Sequence, residues 1–113
     1  MEKFIYLFRG GENAGLSPEA MQAHMQKWNE WMQYLGQKGI MVSGDPLQNT
    51  GKQVNGKNKV VTDGPFAESK EIIGGYIIVN AKDINEAVEI SKGCPIFETD
   101  GKLEVRPVQN IQM

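Results

Sequence analysis

The chain has 113 residues, the size of one domain, so we expect a single domain over residues 1–113 with one hydrophobic core. Its net charge of −2 is spread evenly and no run of about 20 apolar residues occurs, which argues against direct nucleic-acid binding and against membrane insertion. One cysteine and one histidine exclude an internal disulfide and argue against a metal site, so we expect a cytoplasmic protein without a metal or other cofactor.

The first predicted strand runs from Lys3 to Arg9 and is strongly apolar. Its aromatic residues point to one face, and Ile5 and Leu7 point to the other. A strand with two apolar faces needs a cover on each side. We expect helices of the chain on one face and a second subunit on the other.

A long helix is predicted next, with Ser17 as N-cap and Pro18 at the first helical position. Apolar residues then recur at spacings of four, three, four and three, which is typical of one helix face. This stripe is predicted to lie in the core, and Gly36 and Gly39 are predicted to end the helix. The stripe consists of Met21, Met25, Trp28, Met32 and Leu35.

The middle of the chain alternates short strand-like runs with turn residues. Strands are predicted over residues 40–47, 59–62 and 72–79. Asn55-Gly56 is a hairpin signal within the polar segment 48–58. Asp63-Gly64-Pro65 has the composition of a turn between the second and third of these strands.

The last third predicts one helix and one strand. Asp83 has the place of an N-cap, Gly93 ends the helix, and residues 103–108 alternate as a final strand. The element order matches a ferredoxin-like βαββαβ fold of the α+β class with an extra hairpin strand. Its helices cover one face of the sheet, so the two apolar faces of the first strand predict a two-fold homodimer, sheet against sheet.

The segment from Asp63 to Glu71, DGPFAESKE, combines a turn, one aromatic ring and several charged side chains. With Gly74-Gly75-Tyr76 and the preceding helix that contains His24, it resembles the YCII-related family in its DGPF-motif branch. The likeness covers roughly residues 1–108, and Ser69 stands where Thr or Gly is more frequent. The resemblance implies a dimeric α+β barrel with a cleft that holds a functional histidine and aspartate. It names no reaction.

His24 is the histidine that the resemblance makes functional, and it lies four residues before Trp28 on the helix. Among apolar neighbours it is a candidate general acid or base, and the alternative is a structural histidine at the seam between helix and sheet. Asp63 is a candidate to orient it, although that carboxylate also suits its own turn. Asp45 is a rival partner, and the sequence does not rank the two.

Further candidates for ligand contact lie in the motif and at the end of the first strand. Glu68 and Lys70 suit a polar ligand or a solvated loop. Phe66 can close over a ligand or anchor the loop in the core. Arg9 suits an anion or ordinary surface solvation. Cys94 is a weak nucleophile candidate, since the chain has no second histidine to activate it.

Two functions follow from these residues. The first is a homodimeric protein that binds a small polar organic ligand, or a metal-independent acid–base enzyme that uses His24 with Asp63 or Asp45. The alternative is a non-enzymatic interaction module, because relatives in the family occur fused to, or encoded beside, alternative sigma factors. A sigma-factor-related protein would then be its partner.

Overall fold

The computed structural model describes residues 1–11, 15–64 and 72–111 of the chain and has an α+β architecture. Six strands and two α-helices are present in the described residues, together with one short 3-10 helix. In chain order they are β1 Glu2–Arg9, α1 Pro18–Gln37, β2 Met41–Pro46, β3 Gly51–Asn55, β4 Val60–Gly64, β5 Ile73–Ala81, α2 Ile84–Ser91, the 3-10 helix Pro95–Thr99 and β6 Lys102–Pro107.

Four strands form one antiparallel sheet in the order β2-β5-β1-β6. This is the strand order of the ferredoxin-like fold, with β1 and β5 in the centre and β2 and β6 at the edges. Strands β3 and β4 pair only in a separate two-stranded sheet. The predicted ferredoxin-like βαββαβ fold with an additional hairpin is therefore confirmed.

The core lies between the helices and one face of the sheet. β1 contributes its three aromatic residues to this face, and β5 contributes Ile77, Val79 and Ala81. The hydroxyl of Tyr6 donates a hydrogen bond to the carbonyl of Ala87 on α2, which gives the buried phenol a partner.

Both helices begin where the sequence predicted. The Ser17 hydroxyl accepts a hydrogen bond from the Ala20 amide at 3.1 Å, and the Asp83 carboxylate accepts one from the Glu86 amide at 2.9 Å. Each bond satisfies an amide that lacks a partner within the first helical turn.

Two local predictions were wrong, and one element was missed. The buried stripe of α1 consists of His24, Trp31 and Leu35, whereas the predicted core residues Met21 and Met25 are exposed. The face of α1 that is buried is therefore turned slightly away from the face that carries most of the apolar residues. Asp63 and Gly64 belong to β4 rather than to a turn, and residues 65–71 of the motif lie outside the described residues. The 3-10 helix was not predicted.

Neither α1 nor α2 covers the second face of the four-stranded sheet. Ile5 pairs with Ile78, and Leu7 with Tyr76, so these four partly exposed side chains form its apolar centre. The β3–β4 hairpin is exposed along nearly its whole length. None of the helices in residues 15–64 and 72–111 is both long and apolar enough to cross a membrane.

Candidate functional site

His24 is buried on α1, with 7% of its surface exposed. Its Nε2 atom accepts a hydrogen bond from the indole N–H of Trp28 at 3.1 Å. A nitrogen that accepts a hydrogen bond carries no proton, so this hydrogen-bond pattern assigns the proton of the neutral ring to Nδ1. The spacing of four residues on one helix is what brings the two rings together.

The Nδ1 atom of His24 faces Glu98, at 3.6 Å from Oε2. Glu98 lies on the 3-10 helix, and its other oxygen accepts a hydrogen bond from Lys27 at 2.8 Å. The hydrogen bond from Lys27, together with the positive charge of Lys27, holds the pKa of Glu98 below its usual value. Glu98 is therefore ionised at neutral pH and completes a chain from Trp28 through His24 to Lys27.

The two aspartates that the sequence offered as partners of His24 lie elsewhere. Asp63 is on the exposed β3–β4 hairpin and pairs with Lys52 at 2.7 Å. Asp45 accepts a hydrogen bond from the Tyr76 hydroxyl at 2.8 Å, which raises the pKa of Tyr76. Strand alternation puts the Asp45 side chain on the sheet face away from α1. The carboxylate beside His24 is that of Glu98, which sequence reasoning missed, and the catalytic roles of the aspartates stay predictions.

Of the remaining predicted ligand contacts, Arg9 lies within the described residues. Arg9 is ion-paired with Glu104 across the β1–β6 pairing. Phe66, Glu68 and Lys70 lie outside the described residues. Their predicted roles in ligand binding remain predictions.

A pocket of about 360 Å³ lies between α1 and the sheet, on the side of Trp28. One wall comes from residues of α1 at spacings of three and four: Met25, Trp28, Asn29 and Met32. Phe8, Ile77 and Ile96 close it with apolar side chains. The volume is that of a small ligand site, and such sites combine apolar walls with a few polar groups.

The floor of this pocket is the backbone of two glycine-containing strands, β2 and β5. A Cβ atom on Gly44 would lie 3.0 Å from Cγ1 of Ile77 and 2.7 Å from the carbonyl oxygen of Tyr76. Gly75 is similarly close to the backbone of Asp45, at 3.1 Å from its oxygen. Because neither position carries a side chain, β2 and β5 approach each other closely and present bare backbone as the floor of the pocket.

A second, more open groove of about 600 Å³ lies on the other side of α1 and is lined by Trp31, Cys94 and Phe97, among others. Cys94 itself is buried, and burial raises the pKa of its thiol to about 12. A thiol that does not ionise is a poor nucleophile, so the groove offers no activated cysteine.

We expect Cys94 to resist iodoacetamide in the folded protein at about pH 8 and to react once the chain is unfolded. The unfolded thiol ionises near 9.0 and the folded one near 12, so the free energy of unfolding falls as pH rises between these values. Urea unfolding at several alkaline pH values measures this slope, and Cys94→Ala should make it shallower. Rapid labelling of the folded protein would contradict the assignment.

Over the described ranges of the chain, no three histidine, cysteine or acidic side chains are grouped to hold a metal ion. The features that stand out are the glycine floor, the Trp28 wall and the buried histidine behind that wall. They define a ferredoxin-like α+β protein with a small, mostly apolar pocket beside one helix.

Comparison with known proteins identifies the family. Residues 3–112 match the YCII-related domain, and the chain belongs to the YCII-related family. A solved structure with a similar fold is 5-chloro-2-hydroxyhydroquinone dehydrochlorinase (TftG) from Burkholderia phenoliruptrix AC1100, in complex with 2,5-dihydroxybenzoquinone. It is 14% identical, with a TM-score of 0.50 over 95% of this chain and 93% of that chain, and this likeness supports the fold alone. No curated protein matches the sequence.

Proposed function

We propose that the chain is a small-molecule-binding protein of the DGPF-motif branch and that its ligand lies between α1 and the glycine floor. The observation that carries this proposal is the pocket itself, with Gly44 and Gly75 beneath Trp28 and Met32. A backbone floor facing an indole wall suits a flat ligand, since both surfaces can contact the faces of a ring.

The proposed ligand is small, planar and uncharged. The side chains described on the α1 side of the pocket are apolar apart from Asn29, whose amide can bind one polar group. Asp45 and Tyr76 also line the pocket, and there the Tyr76 hydroxyl donates to the Asp45 carboxylate. An anionic ligand would lose hydration in the pocket without gaining an opposite charge. The similar fold of TftG is known in complex with a small quinone, which is consistent with a ligand of this size. The sequence analysis expected a small polar organic ligand, and the pocket favours a member of that class with few polar atoms.

The test is a screen of uncharged aromatic fragments, such as phenol and hydroquinone, by two-dimensional 15N NMR. We expect ligand-dependent shifts at the amides of Gly44 and Gly75 and at the indole N–H of Trp28. Gly93 serves as an internal control, since it lines the second groove. Shifts confined to Gly93 and its neighbours, or none with any fragment, would contradict the proposal.

If the protein is an enzyme, we propose that His24 acts as the general acid or base on the ligand in this pocket. Both ring nitrogens face partners in the chain, so proton transfer to a ligand first requires Trp28 to release Nε2. Loss of turnover of a bound fragment in His24→Ala, with binding and folding retained, would support this form. Turnover equal to that of the wild type would contradict it.

The proposal also includes a homodimer formed through the uncovered face of the sheet. The apolar centre at Ile5, Leu7, Tyr76 and Ile78 supports it, because a sheet face of this kind is stabilised when a second sheet covers it. Sedimentation at micromolar concentration decides the question, and a monomeric mass would argue against the dimer.

A non-enzymatic interaction module is a second candidate, and the enclosure of His24 favours it. A histidine without direct access to a ligand suits a structural role as well as a chemical one. Co-purification with a sigma-factor-related protein would support this candidate, and recovery of no polymerase component would count against it.

A further inference from the structure

We infer that His24 is a positioning residue that holds Trp28 in place as a wall of the pocket, and that protonation of His24 releases this wall. The first half of the inference concerns the two side chains alone. The second half, an effect on ligand affinity, rests on the proposed function of the pocket.

Trp28 is held by aromatic contacts and by one hydrogen bond. Its ring meets Phe8 edge-on at a centroid distance of 5.3 Å and Trp31 at 6.0 Å. These contacts are apolar and permit the ring to turn, because edge-to-face contacts tolerate a range of geometries. The hydrogen bond from the indole N–H to His24 is directional, so it selects one orientation of the ring.

His24 can accept this hydrogen bond only while Nε2 is unprotonated. In imidazolium both nitrogens carry protons, and the indole N–H would then face another N–H. The charged groups that face His24 in the described part of the chain are Glu98 on the 3-10 helix and, through it, Lys27 on α1. Protonation therefore strengthens the contact with Glu98 and removes the acceptor of Trp28.

The ligand should consequently bind more tightly when His24 is neutral. Loss of one neutral hydrogen bond that orders the wall corresponds to a change in affinity of roughly twofold to tenfold. We therefore expect the affinity of an uncharged fragment to fall as pH is lowered and Nε2 of His24 gains a proton.

The experiment follows the two indole N–H signals of the wild-type protein by 15N NMR during a pH titration. Trp31→Phe assigns them, because the chain contains two tryptophans. We expect the Trp28 signal to move along a single curve as pH is lowered over the range in which the protein stays folded, with a smaller change at Trp31. A Trp28 signal that stays constant over this range would overturn the inference.

Two variants separate positioning from mere packing. His24→Gln retains an oxygen that can accept from Trp28 but cannot titrate, so the Trp28 signal should stay near its neutral-pH position at every pH. Glu98→Gln removes the carboxylate from His24 without touching Trp28, so the Trp28 signal should still change with pH. A His24→Gln protein that titrates like the wild type would also overturn the inference.

Measuring fragment affinity on the same samples keeps the two proposals distinct. If the Trp28 signal titrates and no fragment binds, the proposed ligand site fails and the positioning role of His24 stands. If a fragment binds with equal affinity across the titration of His24, the proposed function stands and the link to affinity is overturned.

Discussion

We expect Gly44→Ala to abolish fragment binding in the pocket and to lower the free energy of unfolding by about 1–3 kcal/mol. The new methyl group would meet the Tyr76 carbonyl oxygen at 2.7 Å, and backbone atoms cannot rotate out of the way as a flexible side chain can. β2 must then move away from β5, and the methyl also occupies the floor beneath α1. Urea unfolding gives the stability, and NMR titration with the best fragment gives the affinity.

Gly51→Ala is the matched control for Gly44→Ala. A Cβ atom on Gly51 would meet nothing within 4 Å, and Gly51 lies on β3, which does not line the pocket. Its stability should remain within about 0.5 kcal/mol of the wild type, with fragment affinity retained. If Gly44→Ala binds fragments as the wild type does, the glycine floor is not part of the site.

The second large effect concerns the core below α1. Leu35→Ala should lower the free energy of unfolding by about 2–5 kcal/mol, because Leu35 is fully buried and the shortened side chain leaves a cavity. Unfolding in urea, followed by circular dichroism, measures this loss. The pocket walls lie on other turns of the helix, so fragment affinity should change little at temperatures where the variant is folded.

The neighbouring residue provides the control for this cavity. Tyr34 is 51% exposed on the same helical turn, and Tyr34→Ala should change the stability by about 0.5 kcal/mol or less. Equal losses in the two variants would mean that α1 is stabilised by helix propensity rather than by burial of one face.

The fold was predictable because its signals are local in the sequence. The alternation of Phe4, Tyr6 and Phe8 specifies which face of β1 is buried, and Ser17 and Asp83 mark where the helices begin. The order of the strands within the sheet then follows from the ferredoxin-like connectivity. The exposure of Met25 was not predictable from the helical period, because Met25 lines the open pocket instead of packing in the closed core.

The candidate site was less predictable because its contacts join distant segments. His24 and Trp28 are four residues apart, and their proximity could be read from the helix period. Glu98 reaches His24 only because the 3-10 helix folds back against α1, and a lone glutamate in the sequence gives no signal of this. Asp63 and Asp45 were plausible by residue type, and the sheet topology separates both from the histidine within the chain.

The separate β3–β4 hairpin has a practical consequence for engineering the protein. Its strands pair with each other, and the turn between Asn55 and Val60 is exposed at its tip. Chain ends, affinity tags and fluorophores are tolerated best at such tips, and doubling a loop's length costs only about 0.6 kcal/mol. The tip is therefore a suitable attachment point for immobilising the protein with its pocket left open.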